Sequence, residues 1–373
     1  MAWASVYVHI AFTQIEENNM PNQAYSLIET ASQRNCPKLA ARLLFSMALL
    51  CSCNSPLSAW AQVPQSNPLA SSTSYTSSNR SSSLAGSDQL KTLHVGQLTR
   101  SYVIHRPANL QPDKVKQDQL KKDQLVPVVI VLHGGGGNSE NAASMSQMST
   151  KSDREGFLAV YPNGSGRINR MLTWNSGNCC SYAMRKNIDD VGFIRKLIET
   201  IVATEGVDPK RVFVTGISNG GMMSFRLACE LSDLIAAAAP VAGALNVNSK
   251  PANPVAIMMF NGMADDHVLY EGGTPRKSFE PREDKSVAYA VNFWTKRNGC
   301  SSKPQRQVNQ TGNVMVDTYK SQSTNADVVL CTIKNGKHSW PGGTKPRTQG
   351  DDPSSEVSAT DMMWEFFKNH PKK

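Results

Sequence analysis

The stretch that decides the fold runs from Arg211 to Gly220 and reads RVFVTGISNG. Its first half is β-branched and apolar, as in a buried strand, and the pattern of a helix follows over 221–231. Ser218 lies between them in a Gly-x-Ser-x-Gly motif. This context predicts a sharp turn that exposes the Ser218 hydroxyl at a helix N-terminus, where a nucleophile is favoured. A glycine-rich cap with an ordinary N-cap serine is the alternative.

Strands and helices alternate on both sides of this stretch. Short strand-like pieces at 90–95 and 100–105 flank Gly96 and predict a hairpin. Further buried strands are predicted at 126–132, 157–161, 235–241, 255–260 and 328–333, and helices at 190–205, 285–297 and 360–369. The alternation predicts an α/β protein with a mostly parallel, doubly wound sheet. Together with the serine motif it indicates a single domain of the α/β-hydrolase fold over 89–373.

The loop after the strand 126–132 reads HGGGGN, residues 133–138. A loop of this type provides one backbone N–H to an oxyanion, and the residue after the nucleophile provides the other. We assign these donors to Gly135 and Asn219, with Gly136 as the substitute if the register differs. A phosphate-binding loop is the rival interpretation, and its Gly-Lys-Ser/Thr ending is missing from this sequence.

One histidine is expected to activate Ser218. In this fold the chain order is serine, acid, histidine, and His338 leaves many residues for an acid in between. His338 lies in GKHSWPGG, residues 336–343, after the last predicted strand. Loops at the carboxyl edge of an α/β sheet are where active sites assemble.

The acid is expected between Ser218 and His338. Asp265 follows the strand 255–260, two strands after the nucleophile, which is the place expected for an acid that orients the imidazole. We choose Asp265, with its neighbour Asp266 as the alternative. Asp189 and Asp190 precede Ser218 and are expected to cap the helix that follows.

The N-terminal part has the features of a secretory signal peptide. Basic residues precede the apolar run 43–50, and Ala-Trp-Ala at 59–61 provides a small-x-small cleavage site. We predict a signal peptide over 1–61, with Met20 as an alternative start. The protein is then secreted, either to the extracellular space or to the periplasm, and a lipid anchor at Cys53 is the alternative route.

Composition restricts the partners. A stretch rich in Ser, Thr and Asn predicts a flexible leader over 62–88. The net charge of +9 is spread along the chain without a nucleic-acid motif, so no nucleic-acid partner is predicted. No stretch reaches the ~18 apolar residues of a transmembrane segment. Of the basic residues, only Lys337, Lys345 and Arg347, near His338, are expected to influence substrate choice.

Six segments, taken in order, resemble a known family. They are VVIVLHGGGGN, WNSGNCC, IDDVGFI, TGISNGGMMS, ADDHVLYEGG and KHSWPGG. They are similar to the polyhydroxybutyrate-depolymerase-type esterases, which include feruloyl and acetylxylan esterases of carbohydrate esterase family 1. The resemblance covers about Leu90 to the C-terminus. It implies an esterase in which Ser218, Asp265 and His338 act as a catalytic triad.

The resemblance also implies a substrate cleft lined by Trp340 and Trp174, with core packing as the alternative. Asn261 replaces a family histidine and Lys337 a family glycine, which affects substrate preference rather than catalysis. The expected substrate is a polyester oligomer or a plant cell-wall ester. A serine peptidase on the same fold and a non-catalytic binding protein are the rival functions.

Five cysteines follow residue 61. Adjacent cysteines seldom bond each other, so we predict that either Cys179 or Cys180 pairs with Cys229. The family's partner for Cys300 is missing, and Cys331 is an open alternative. An odd count leaves at least one thiol free or paired between molecules. The sequence contains no CxxC pair of a zinc site, and we predict neither a metal nor a cofactor.

Overall fold

The predicted central strands lie in the middle of a ten-stranded sheet in the computed structural model. The structure describes residues 86–110, 124–168, 170–278, 280–345 and 350–373. In chain order the elements are β1 (Ser87–Val95), β2 (Leu98–Arg106), a 3-10 turn (Ala108–Leu110), β3 (Val126–Leu132), α1 (Ser139–Ser146), α2 (Met148–Glu155), β4 (Leu158–Pro162), α3 (Ser181–Arg185), α4 (Asp190–Thr204), β5 (Val207–Ile217), α5 (Asn219–Glu230), β6 (Ala237–Val241), β7 (Ala256–Gly262), α6 (Val287–Arg297), β8 (Gln305–Val308), β9 (Val314–Tyr319), β10 (Val328–Ile333) and α7 (Ala359–Lys368).

The strand order is β1-β2-β4-β3-β5-β6-β7-β10-β9-β8. The strands from β4 to β10 in this order run parallel, and antiparallel strands extend the sheet at both edges. Because parallel strands end at the same edge, the loops after β3, β5, β7 and β10 meet there. These four loops carry the predicted oxyanion loop, Ser218, Asp265 and His338.

Helices cover both faces of the sheet. In β3, the side chains of Val128 and Ile130 join a core under α4, α5 and α6, and those of Val129 and Val131 join a core with α1, α2 and α7. Successive side chains of a strand point to opposite faces, so a strand that is covered on both faces needs apolar residues throughout. The continuous apolar run of β3 therefore has a physical reason.

The predicted mostly parallel sheet is confirmed, with shifts at the ends of some elements. Strand β1 begins at Ser87, three residues before the predicted start of this strand at Leu90. Helices α1 to α3 and strands β8 and β9 were not predicted. Strand β8 has four exposed residues, so it lacks the alternation that identifies a half-buried strand.

The signal peptide over 1–61, the alternative start at Met20, the lipid-anchor site Cys53 and nearly all of the leader 62–88 lie outside the described residues, as does Arg347. Within the described residues, no helix is long and apolar enough to cross a bilayer.

Candidate active site

Ser218 occupies a strained turn between β5 and α5. Its φ is +57° and its ψ is −121°, a conformation that non-glycine residues adopt rarely and mostly at functional sites. Its N–H donates to Val241 O at 2.9 Å and its carbonyl accepts from Met222 N at 2.8 Å. A Cβ atom at Gly220 would lie 2.5 Å from Leu132 O. Glycine is therefore required there for α5 to begin so close to β3.

His338 and Asp265 meet at the carboxyl edge of the sheet. The Nδ1 atom of His338 lies 2.8 Å from Oδ2 of Asp265. The other carboxylate oxygen of Asp265 accepts from the N–H groups of His267, at 2.8 Å, and Val268, at 2.9 Å. Both oxygens are engaged and the side chain is 1% exposed. The carboxylate is therefore held in one orientation, directed at the imidazole.

Asp266, the alternative acid, points elsewhere. Its carboxylate pairs with the ammonium of Lys277 at 2.9 Å and is 38% exposed. The Lys277 ammonium is the main cause that holds the pKa of Asp266 below its usual range. The structure thus places Asp265, and not Asp266, against His338.

His267 stacks on His338. The ring centroids are 4.6 Å apart and the planes differ by 20°. Burial, and next the neighbouring His338, lower the pKa of His267, which favours a neutral ring there. Its buried Nδ1 atom lies 3.0 Å from Asp266 Oδ1, but the two atoms are not oriented for a hydrogen bond, so Nδ1 has no hydrogen-bond partner. Arg282 donates to the carbonyl of His267 at 2.6 Å and so helps to fix this ring.

Ser218 and His338 line one cavity of about 340 Å³. This volume lies near the lower end of the range for small-molecule sites, about 300–1,000 Å³. Gly135 and Asn219 are in its wall, together with the apolar side chains of Met145, Met171, Ile217, Met222 and Trp340. A polar edge is formed by Lys277, Ser278 and Arg282. An apolar cavity with a few polar groups suits an ester that has an apolar acyl or alcohol part.

The two candidate donors of the glycine loop differ in what their N–H groups do. Gly136 donates to Leu172 O at 2.8 Å, so its N–H already has a partner. Gly135 faces the start of α5, because a Cβ atom added to it would lie 3.7 Å from Cβ of Asn219. Gly134 lies against Ser218 in the same way, with a Cβ-to-Cβ distance of 3.7 Å. This arrangement favours Gly135 over Gly136 as the oxyanion donor.

His133 fixes the base of the glycine loop. Its Nδ1 lies 2.8 Å from Gly134 O and its Nε2 accepts from Gly164 N at 3.0 Å. These partners require a neutral ring with the proton on Nδ1. Complete burial lowers the pKa of His133 to about 4, which agrees with a neutral ring at neutral pH.

Trp174 is a structural residue beneath the cavity. It is 0% exposed, its Nε1 donates to His133 O at 3.0 Å, and its ring lies 4.9 Å from that of His133. Among the described residues, the cavity wall includes Trp340 but not Trp174. The prediction that Trp174 lines the cleft is therefore wrong, because its indole N–H is used to hold the glycine loop from below.

Trp340 combines both expected roles. It lines the cavity, yet it is 1% exposed and its Nε1 donates to Thr360 Oγ1 at 3.0 Å. Most of its ring thus belongs to the core beside α7. Its contact with substrate stays a prediction.

Lys337 and Lys345, two of the basic residues near His338 in the chain, are not among the residues that line this cavity. Lys345 pairs with Asp352 at 3.0 Å. Lys337 lines a second cavity, of about 370 Å³, formed by residues of 333–337 and 350–356 without Ser218 or His338. The sequence did not single out Lys277 and Arg282, which do line the main cavity. They come from a long loop between β7 and α6, where no periodic pattern indicates side-chain direction.

The cysteine pairing differs from the prediction. Cys179 and Cys180 are joined to each other in a disulfide, and the other cysteines of the described residues are free: Cys229, Cys300 and Cys331. The predicted pair with Cys229 is therefore wrong. Asn219, at the first turn of α5, lies 3.8 Å from the sulfur of Cys179. Cys229 is near the other end of that helix, about 15 Å further along at 1.5 Å per residue.

Carboxylates and imidazoles are clustered beside the reacting groups. Asp266, His267 and Asp351 have ligand-type atoms within 4.8 Å of one another, as do Asp265, His267 and His338. In the first group Asp266 is already paired with Lys277, and in the second Asp265 holds the imidazole of His338. Both groups have partners without an ion, and the expectation that no metal is needed stays a prediction.

Several known proteins are similar to parts of this chain. Residues 121–274 match the family described as esterase PHB depolymerase. The predicted family resemblance is confirmed. The chain is 34% identical over 225 residues to feruloyl esterase B of Piromyces equi, covering 58% of this chain and 40% of that protein. It is 28% identical over 139 residues to poly(3-hydroxyalkanoate) depolymerase C of Paucimonas lemoignei, covering 37% of this chain and 32% of that protein. The chain thus spans less than half the length of both relatives.

A solved structure gives the fold. Acetyl xylan esterase from Aspergillus awamori superposes with a TM-score of 0.51 at 16% identity, covering 75% of this chain and 99% of that chain. At this identity the likeness concerns the fold alone, and it confirms the predicted α/β-hydrolase fold.

Proposed function

We propose that this protein is a serine esterase that hydrolyses carboxylic esters through an acyl-enzyme. The observation that carries the proposal is the joint placement of a strained Ser218 and an Asp265-oriented His338 on one cavity. A non-catalytic binding protein has no need for a serine in a strained conformation beside an oriented imidazole.

Each of these groups has a role in the proposed reaction. His338 Nε2 accepts the hydroxyl proton as Ser218 Oγ attacks the ester carbonyl, and Asp265 stabilises the imidazolium. The N–H groups of Gly135 and Asn219 donate to the oxyanion of the tetrahedral intermediate. His338 then returns the proton to the leaving alcohol. Water attacks the acyl-enzyme by the same route and releases the acid and free Ser218.

The proposed substrate is a polyester oligomer or a plant cell-wall ester. Two observations support this class: the mainly apolar cavity wall, and the names of the relatives, a feruloyl esterase and a poly(3-hydroxyalkanoate) depolymerase. Trp340 is proposed as a substrate contact on the wall of this cavity.

The test compares wild type with Ser218→Ala on a short-chain nitrophenyl ester. We expect Ser218-dependent turnover, and equal rates for both proteins would contradict the esterase proposal. Methyl ferulate, acetylated xylan and 3-hydroxybutyrate oligomers then identify the ester class. An aminoacyl nitroanilide in the same series tests the peptidase alternative, because a serine peptidase cleaves the amide bond of the anilide as well as esters, whereas an esterase leaves the anilide intact.

Export from the cytoplasm is part of the proposal. The basic residues, the apolar run 43–50 and the Ala-Trp-Ala site at 59–61 support it. Mass spectrometry of the N-terminus of the exported protein checks the route. A start at Gln62 supports simple secretion, a lipidated Cys53 supports the anchor, and an uncleaved chain contradicts both.

A further inference from the structure

One short segment supports both proposed oxyanion donors from behind. Leu172 accepts from Gly136 N at 2.8 Å and donates to Gly137 O at 3.0 Å, which holds the glycine loop. Trp174 N donates to Asn219 Oδ1 at 2.7 Å, and Trp174 O accepts from Asn219 Nδ2 at 3.0 Å. The position of segment 172–175 therefore sets the spacing between the glycine loop and the start of α5.

The next residue of the segment, Asn175, is held on both sides of its backbone. Its N–H donates to Asp190 Oδ2 at 2.8 Å. Its carbonyl accepts from Arg226, a residue of α5, at 2.7 Å. Asp190 thus anchors the far end of the segment to the beginning of α4.

Asp190 does not cap its helix as the sequence suggested. Its neighbour Asp189 provides the cap, by accepting from Gly192 N at 2.8 Å. Asp190 instead pairs with Arg100 of β2, with Oδ1 at 2.7 Å from Nη2, and the two side chains are 0% and 5% exposed. The Arg100 guanidinium also lies 4.1 Å from the ring centroid of Phe193.

Arg100 reaches the glycine loop by a second route. The nitrogen that binds Asp190 also donates to Asn163 O at 3.1 Å. The following residue, Gly164, donates its N–H to His133 Nε2, and His133 is the first residue of the glycine loop. A single guanidinium therefore fixes both supports of the proposed oxyanion hole.

We infer that Arg100 and Asp190 are positioning residues for the oxyanion hole, which they order through segment 172–175 and His133. A buried ion pair adds little net stability, because the desolvation of two charges offsets their attraction. Its fixed geometry, in contrast, can keep hydrogen-bond donors where charge develops. The inference rests on the proposed esterase function.

The central variant is Asp190→Asn, which keeps the size of the side chain and removes the charge. Arg100→Lys is the second variant, because it keeps the positive charge but cannot reproduce the planar fork. Two variants serve as controls. Asp233→Asn removes an exposed ion pair between Asp233 and Arg195, a residue of α4, the helix that also carries Asp190. Ile201→Val removes one methyl group from the buried face of α4.

We would measure kcat and KM for each variant per active site, titrated with a phosphonate that reacts with Ser218, and the melting temperature. The diagnostic readout is the ratio of kcat for an ester to kcat for the matching thionoester. Sulfur accepts hydrogen bonds weakly, so this ratio reports on the oxyanion donors and not on general stability.

For Asp190→Asn we expect kcat to fall at least tenfold, KM to stay within twofold and the ester-to-thionoester ratio to shrink. The kcat and the ester-to-thionoester ratio of Arg100→Lys should lie between those of Asp190→Asn and wild type. Both controls should keep the wild-type kcat and ratio. A ratio unchanged in both Asp190→Asn and Arg100→Lys would overturn the inference, even if they melt earlier. If wild type shows no Ser218-dependent turnover, the esterase proposal itself fails, and this result is visible before any variant is compared.

Discussion

The Nδ1 atom of His338 lies 2.8 Å from a carboxylate oxygen of Asp265, a residue 73 positions earlier in the chain. The contact exists because β7 and β10 are parallel neighbours, with Asn261 opposite Thr332 and Gly262 opposite Ile333. The two loops that follow them therefore begin side by side. They can approach closely because Gly262 and Gly336 lack side chains, and a Cβ atom on Gly262 would lie only 2.1 Å from Gly336 O.

Removal of the Asp265 charge should damage catalysis far more than removal of the Asp266 charge. Asp265→Asn keeps the size but weakens orientation of the imidazole and stabilisation of imidazolium, so we expect kcat to fall by about 10⁴-fold. Asp266→Asn breaks a solvent-exposed pair with Lys277, so we expect little change in kcat or in stability. Measurement of kcat on a nitrophenyl ester checks both. A larger loss in Asp266→Asn would mean that the wrong acid is assigned.

The Asn219 side chain should matter although its proposed catalytic group is the backbone N–H. Asn219→Ala leaves the N–H of Trp174 without its acceptor, which costs about 1–3 kcal/mol. The carbonyl of Trp174 keeps the hydrogen bond from Cys180 N at 3.0 Å. Asn219→Asp should lower kcat below that of Asn219→Ala, because it buries a negative charge beside the developing oxyanion. Wild-type kcat in Asn219→Asp would contradict this placement of the oxyanion.

The two tryptophans should respond differently to replacement by phenylalanine. Trp174→Phe removes the N–H that holds His133 O, so kcat and the melting temperature should fall while KM changes little. Trp340→Phe changes the cavity wall and should alter KM among esters of different size. If Trp174→Phe shifts KM and leaves kcat unchanged, Trp174 contacts substrate after all.

His133 should make the protein less stable as the solution becomes acidic. Its pKa is about 4 in the folded protein and about 6.5 in an unfolded chain. Between these values the unfolded chain binds more protons, so this contribution is complete above about pH 6.5 and declines as the pH falls towards 4. In this range the free energy of unfolding falls by about 1.4 kcal/mol for each pH unit of acidification.

Urea unfolding at several pH values measures this slope. His133→Gln retains an acceptor for Gly164 N and does not titrate, so its free energy of unfolding should decline less steeply between pH 6.5 and 4. Parallel curves for the two proteins would show that His133 is not held neutral.

Several parts of the site were predictable because their signal is local. The turn at Ser218 follows from two glycines between a β-branched run and a helical pattern, and Gly220 is required by the approach of α5 to Leu132. The apolar run of β3 indicated a strand buried on both faces. In contrast, β8 and the helices α1 and α2 carry few buried apolar residues, so the hydrophobic pattern did not reveal them.

The sequence by itself determined the fold class, the candidate nucleophile and the order of the candidate triad, because periodicity and short motifs act over neighbouring residues. Only the tertiary structure favoured Asp265 over Asp266 as the candidate acid and Gly135 over Gly136 as the candidate donor, and only it placed Trp174 in the core. Each choice depends on where a partner distant in the chain lies: His338 for the acid, Leu172 for the glycine loop and His133 for the indole. The role inferred for Asp190 has the same origin, because its partner Arg100 lies 90 residues away and is brought to it by the packing of α4 on the sheet.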